Sequence, residues 1–305
     1  MDMEEGVIVK RMLLAIGVAA SLALSACGGS SPSATKAALK AYVGSLGSTP
    51  DLQVTLTGSF TGAGATTAQK VLNVLSIGMN FSSTSGSPLS QSAGSVNLDI
   101  TANISGTPFL DIRKVGDNLY FKLDASKLGT IPGVKLPASG LQAIQFAFGG
   151  RWFELPKSVL NSVVPKKDSV GASAAESATL EAKVIDAITN VIDTTHYTST
   201  PNGYTETGTL YSLAKAVYDS LPSLTHGTGP TAKTAKGTYT LGVSVSGSNA
   251  TGVSLSITAP RGSNGNATGT INATFAHAST TVSAPSGATA ITPALLRQFG
   301  LGAKP

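Results

Sequence analysis

Six stretches of this 305-residue chain place apolar side chains at every second position. Val96, Leu98, Ile100, Ala102 and Ile104 alternate with Asn97, Asp99, Thr101 and Asn103. Ile77, Met79 and Phe81 follow the same rhythm, as do Leu119, Phe121 and Leu123. Further on come Tyr239, Leu241, Val243 and Val245, then Val253, Leu255 and Ile257, then Ile271, Ala273 and Phe275. Successive side chains of a strand point to opposite faces, so each stretch is a strand with one apolar side. Alternation rather than continuous apolar runs predicts antiparallel sheet with one face in water. Gly106-Thr107-Pro108, Gly116-Asp117-Asn118 and Gly247-Ser248-Asn249 supply the turns that hairpins need. Arg113-Lys114 sit in another alternating stretch and are expected on a solvated face.

Helical spacing occurs elsewhere. A helix is expected over residues 34–46, with Pro50 ending that region. Leu180, Val184, Ile185, Ile188 and Ile192 form one apolar stripe, and Leu210, Leu213, Val217, Tyr218 and Leu221 form another that stops at Pro222. Thr292 as N-cap, Pro293 at the first helical position and Gly300 as a stop frame a last short helix. Residues 223–236 read as a loop, and nothing reads as an interdomain linker. The expected fold class is therefore α+β, a large antiparallel sheet with helices packed on its apolar face, in a single domain over residues 34–305.

The N-terminal region has a different character. Lys10-Arg11 precede an uncharged run from Met12 to Leu24, which is too short to span a bilayer core that needs about 20 residues. A basic start, a short apolar run and small residues before a cut site describe a secretory signal. Leu24-Ser25-Ala26-Cys27 then resembles a bacterial lipobox, in which the cysteine is lipidated and becomes the first mature residue. The chain's only cysteine stands there, which also excludes an intramolecular disulfide and a cysteine-cluster metal site. The expected organisation is a signal peptide over residues 1–26, a lipidated cysteine and tether over 27–33, and the folded domain beyond. That implies a location on the extracytoplasmic face of the cell membrane, held by acyl chains.

Charged residues make up 12% of the chain, about half the share of an ordinary soluble domain. The net charge of +5 is scattered. No basic stripe interleaved with aromatics is present, so nucleic acid is not an expected partner. A diffuse positive surface instead suits anionic phospholipid head groups.

Several short segments together resemble a known group. They are the lipobox, Gly116-Asp117-Asn118-Leu119-Tyr120, Gly150-Arg151-Trp152-Phe153-Glu154-Leu155 leading into a short helix, Asp193-Thr194-Thr195-His196-Tyr197 before a strand, Leu213-Ala214-Lys215-Ala216, and the closing Thr281-Val282-Ser283-Ala284-Pro285. In this order they are similar to actinobacterial cell-envelope lipoproteins of the LolA-like and LprG/LppX type. The resemblance implies a curved sheet, an incomplete barrel, enclosing an apolar cavity for acyl chains. It implies no catalytic residues.

Motifs for covalent chemistry are absent or isolated. His196, His226 and His277 are far apart, with no metal-ligand spacing and no His-Glu-x-x-His. No Gly-x-Ser-x-Gly elbow or phosphate-cradling loop occurs. Ser212-Leu213-Ala214-Lys215 matches Ser-x-x-Lys without the companion motifs, in a chain rich in serine. The chain is therefore expected to be no enzyme and to need neither metal nor cofactor. The expected function is binding or carrying a lipid or glycolipid in an apolar cavity. Candidate lining residues are Val96, Leu98, Ile100, Leu241, Val243, Leu255 and Ile257, with Trp152, the only tryptophan, at a pocket mouth, touching membrane, or closing the core as a half-buried strand residue. The alternative is a structural or interaction lipoprotein whose apolar residues form a solid core without ligand. The sequence names no protein partner.

Overall fold

A computed structural model of the chain describes residues 41–42, 44–62, 66–92, 95–132, 137–157, 159, 197–220, 235–260, 265–277, 279 and 281–292. Its strands are β1 (Asp51–Thr61), β2 (Leu75–Ser83), β3 (Val96–Ile104), β4 (Thr107–Val115), β5 (Asn118–Leu123) and β6 (Trp152–Leu155). These are followed by β7 (Thr198–Thr200), β8 (Gly203–Thr209), β9 (Thr238–Ser246), β10 (Asn249–Pro260), β11 (Asn266–Ala276) and β12 (Thr289–Ala290). Among the described residues, helices α1 (Thr67–Leu72), α2 (Ala138–Phe148) and α3 (Leu210–Ser220) lie between them. The strands form one open sheet in the order β12-β6-β5-β4-β3-β2-β1-β11-β10-β9-β8-β7. It is mixed, because β12 runs parallel to β6 while the pairs from β2 to β6 and from β11 to β7 are antiparallel. The expected α+β sheet is thus present, and all six alternating stretches lie within its strands.

By compactness the chain divides into two units. The first holds Met1–Thr49, Val54–Asn73 and Ala178–His277; the second holds Pro50–Gln53, Val74–Ser177 and Ala278–Pro305.

In the second unit the strand register lines up apolar side chains across five strands. Met79 pairs with Ile100, Ile100 with Ile112, Ile112 with Phe121, and Phe121 with Phe153. Cross-strand partners share a face, so these five form one apolar row. Its β6 end is the best covered. Phe153, Val159 and Ile291 are buried there, with Phe121, Phe148 and Leu155 packed around them. The Phe153 ring lies 5.6 Å from Phe121 in a stack and 5.4 Å from Phe148 edge-on. Phe148 ends α2, whose Leu141, Ile144 and Phe148 are partly buried while Ser139, Gln142 and Phe146 are exposed. This one-sided pattern binds the helix by its apolar stripe.

Turns close earlier than the glycine triplets suggest. The β3–β4 hairpin turns at Ser105 and Gly106, both with positive φ (49° and 78°), so Thr107 and Pro108 already belong to β4. Pro108 is tolerated because the register slips beside it, between Ala102 and Asn103.

In the first unit the same register builds a two-faced sheet. One face carries Glu206, Leu241, Leu255 and Ile271 as successive partners across β8, β9, β10 and β11. Tyr204, Val243, Val253 and Ala273 form the next row, and Gly208, Tyr239, Ile257 and Gly269 the one after. The opposite face is hydroxylic. Thr207, Thr240, Ser256 and Thr270 line up on it, with Ser256 and Thr270 hydroxyls 2.8 Å apart and those of Thr258 and Thr268 2.9 Å apart. Gly203, at φ 148°, allows β8 to meet β9 closely; a Cβ there would lie 1.8 Å from the Val243 carbonyl oxygen. The expected helix over 210–221 is α3, opened by Thr209, whose Oγ1 accepts the Ser212 N–H at 3.1 Å. Val54 on β1 is fully buried, and Leu56 nearly so; Leu52, on the stretch of β1 that belongs to the second unit, is fully buried as well. The expected helix over 34–46 is described only in part, and the stripe over 180–192 and the last helix lie outside the described residues.

Candidate functional site

The eight residues expected to line a ligand fall into three groups. Leu241, Val243, Leu255 and Ile257 lie together on the apolar face of the first unit, Leu241 opposite Leu255 and Val243 two residues along the same strand. Leu241, Leu255 and Ile257 are only partly buried, as is their neighbour Ile271. Val96, Leu98 and Ile100 lie together on the apolar face of the second unit. Leu98 stands between Phe81 and Lys114, and Ile100 between Met79 and Ile112. All three are partly buried.

Trp152 stands apart from both. Register puts Phe153, not Trp152, opposite Phe121, so Trp152 pairs with Lys122 and shares a face with Asp111 and Thr101. A step of one residue along a strand changes the face. On that polar side the Arg113 guanidinium lies 4.8 Å over the indole ring. Arg113 also reaches Asp99 Oδ1 from Nε at 3.3 Å and the Ser283 carbonyl from Nη1 at 3.5 Å. Asn97 Nδ2 donates to the Val282 carbonyl at 3.1 Å. These contacts hold residues 281–286 along β3 and β4, and an open, mostly polar depression is lined by Arg113, Trp152 and Ser283 to Ser286. Arg113 and Lys114, expected on one solvated face, occupy opposite faces. Lys114 is exposed and donates to the Val96 carbonyl at 3.1 Å.

One residue of the first unit was not visible as a candidate in the sequence. Glu206 is 5% exposed and stands on the apolar face, beside Leu241. Tyr239, 2% exposed, donates its hydroxyl hydrogen to Glu206 Oε1. Oε2 is buried and has no hydrogen-bond partner among the described residues. Tyr239 packs over Gly208, where a Cβ would come within 2.7 Å of its ring. Burial raises the Tyr239 hydroxyl above its ordinary value, and the hydrogen bond and charge of Glu206 add to this, followed by Tyr197; a Ser212 hydrogen bond acts the other way. Tyr204, two residues before Glu206, is raised by burial and then by Tyr42, whose ring centroid is 6.0 Å away. The available signal was the threonine at every second position (205, 207, 209), which turns Tyr204, Glu206 and Gly208 to the other face.

The Ser-x-x-Lys match lies on the exposed side of α3. Ser212 and Lys215 are both exposed, and the Ser212 hydroxyl donates to the Thr209 carbonyl at 2.7 Å. That is helix-start geometry, which ties the hydroxyl to the backbone of its own turn. His277 is exposed, with Nδ1 2.8 Å from Thr49 Oγ1. Among the described residues no three His, Cys, Asp or Glu side chains gather as a metal site would require. Leu24, Ser25, Ala26, Cys27, His196 and His226 lie outside the described residues.

Comparison with solved structures finds similar chains. The crystal structure of the Mycobacterium tuberculosis lipoprotein LppX is similar at 12% sequence identity and a TM-score of 0.38, covering 83% of this chain and 100% of that one. No family model matches the chain. None of the curated proteins matches it either. The architecture described above stands on its own strand pairing. Chemically, the two apolar faces offer surface for an apolar molecule, and the first adds one buried acid–phenol pair.

Proposed function

We propose that this chain is a membrane-anchored extracytoplasmic lipoprotein that binds a lipid or glycolipid against its apolar sheet faces and performs no covalent chemistry. The observation that carries this reading is uneven burial. Leu52 and Val54 are closed off completely, yet Phe81, Leu98, Ile100, Ile112, Leu241, Leu255 and Ile271, on rows of the same sheet, keep partial exposure. Apolar rows left incompletely covered favour a molecule that finishes the covering.

The driving force is burial of acyl surface, about 25 cal/mol per Å² removed from water. Lipidation at Cys27, where the lipobox-like Leu24-Ser25-Ala26-Cys27 ends, is part of the same reading. An anchored domain faces its lipid source at high effective concentration, so modest intrinsic affinity suffices.

Titration of the full chain with a fluorescent polyene fatty acid tests the reading. The expected result is saturable binding at about one molecule per chain, displaced by unlabelled lipid. Absence of saturable binding would leave a solid-core interaction lipoprotein as the better account.

A further inference from the structure

We propose that Glu206 is the polar anchor of the ligand surface in the first unit, accepting a hydrogen bond from a hydroxyl borne by the bound lipid. This rests on the lipid-binding reading above and names a chemical requirement on the ligand. Ile271, Leu255, Leu241 and Glu206 are consecutive cross-strand partners, so they form one line over β11, β10, β9 and β8. With strands about 4.8 Å apart, the line runs roughly 14 Å. Its first three members are partly buried apolar residues and its last is a buried carboxyl. A chain laid along the row meets hydrocarbon first and a buried acid last.

Hydrogen-bond accounting selects the chemistry. Glu206 offers two acceptor oxygens when ionised. Tyr239 occupies Oε1, while Oε2 is buried without a partner among the described residues. A buried acceptor left unmade is costly, and native structures satisfy nearly all of them. The missing group is a donor. A hydroxyl supplies one; an ester or ether oxygen, which only accepts, would meet Oε2 unfavourably. Discrimination between a donor and its capped analogue is strong where a buried site is built for the donor.

The test compares two probes of equal chain length, monoolein with its two free hydroxyls and its di-O-methyl ether. Both are offered together from phosphatidylcholine vesicles to the full chain, and the bound pair is quantified by mass spectrometry. Wild type is expected to favour monoolein by about tenfold, the worth of one good hydrogen bond. Glu206→Leu is expected to bind both probes equally, and Glu206→Gln, whose one oxygen serves Tyr239 while its NH2 stands in the place of Oε2, is expected to lose the preference as well. Tyr239→Phe, which removes the internal donor, keeps the preference, so the idea stays testable if the leucine variant fails to fold. Equal uptake of the two probes by wild type, or an unchanged preference in Glu206→Leu, would overturn the anchor while leaving lipid binding intact. Uptake of neither probe by wild type would overturn both.

Discussion

Tyr239 on β9 donates its hydroxyl to Glu206 on β8 across the apolar face of the first unit, and both residues are nearly sealed from solvent. A phenol and a carboxyl that satisfy each other in an apolar setting depend on each other. Tyr239→Phe is expected to cost about 1–3 kcal/mol, because it leaves a second carboxyl oxygen unpaired. Glu206→Leu is expected to cost a similar amount by stranding the phenol. The double variant should be less destabilised than the sum of the two, since both polar partners leave together. Urea denaturation of the four proteins measures this coupling.

The same pair fixes a pH dependence at the alkaline end. An unfolded tyrosine ionises near its ordinary value of 10.0, whereas burial and Glu206 hold the native Tyr239 protonated beyond it. Above pH 10 the unfolded chain therefore binds fewer protons than the native one, and stability falls as pH rises. Below pH 10 this contribution is fully present. Denaturation midpoints measured from pH 8 to 11 should drop more steeply for wild type than for Tyr239→Phe above pH 10.

In the second unit, Arg113 links the sheet to residues 281–286 while covering the only tryptophan. Arg113→Ala should cost about 1 kcal/mol, given the partial exposure of its ion pair with Asp99. It should also expose the indole. A red shift of tryptophan emission reads out Trp152 directly, with no other indole to confuse it.

Phe153 carries the aromatic cluster at β6. It is 4% exposed and touches Phe121 and Phe148 on two sides. Phe153→Ala is expected to cost about 3–5 kcal/mol through lost burial and an unfilled cavity. Thermal denaturation measures the loss, and Trp152→Ala, on the polar face, should cost distinctly less.

Much of this architecture was legible in the sequence, because alternation with glycine turns is a local code. The run from Val96 to Ile104 became β3 without a change of residue. The facing of Trp152 was not legible. Adjacent Trp152 and Phe153 point to opposite sides, and only the pairing of Phe153 with Phe121 decides which side is apolar. Glu206 was hidden for a related reason: flanked by threonines, it reads as part of a polar stretch until β9 places Leu241 and Tyr239 around it. Helix α2 escaped because Gly140 weakens its start and its stripe has only Leu141, Ile144 and Phe148.

Anchoring at Cys27 has its own test. Cells fed labelled palmitate should incorporate it into the wild-type chain and not into Cys27→Ala. Equal labelling of both would remove the anchor from the proposed function.

Ligand binding itself is tested most directly by the mass of the full chain, weighed first under native conditions and then after denaturation. Any covalently attached group stays in both measurements, so only a non-covalently bound molecule can separate them. A native mass larger by about one lipid per chain is expected. Identical masses, in protein taken gently from the cells that make it, would contradict lipid binding.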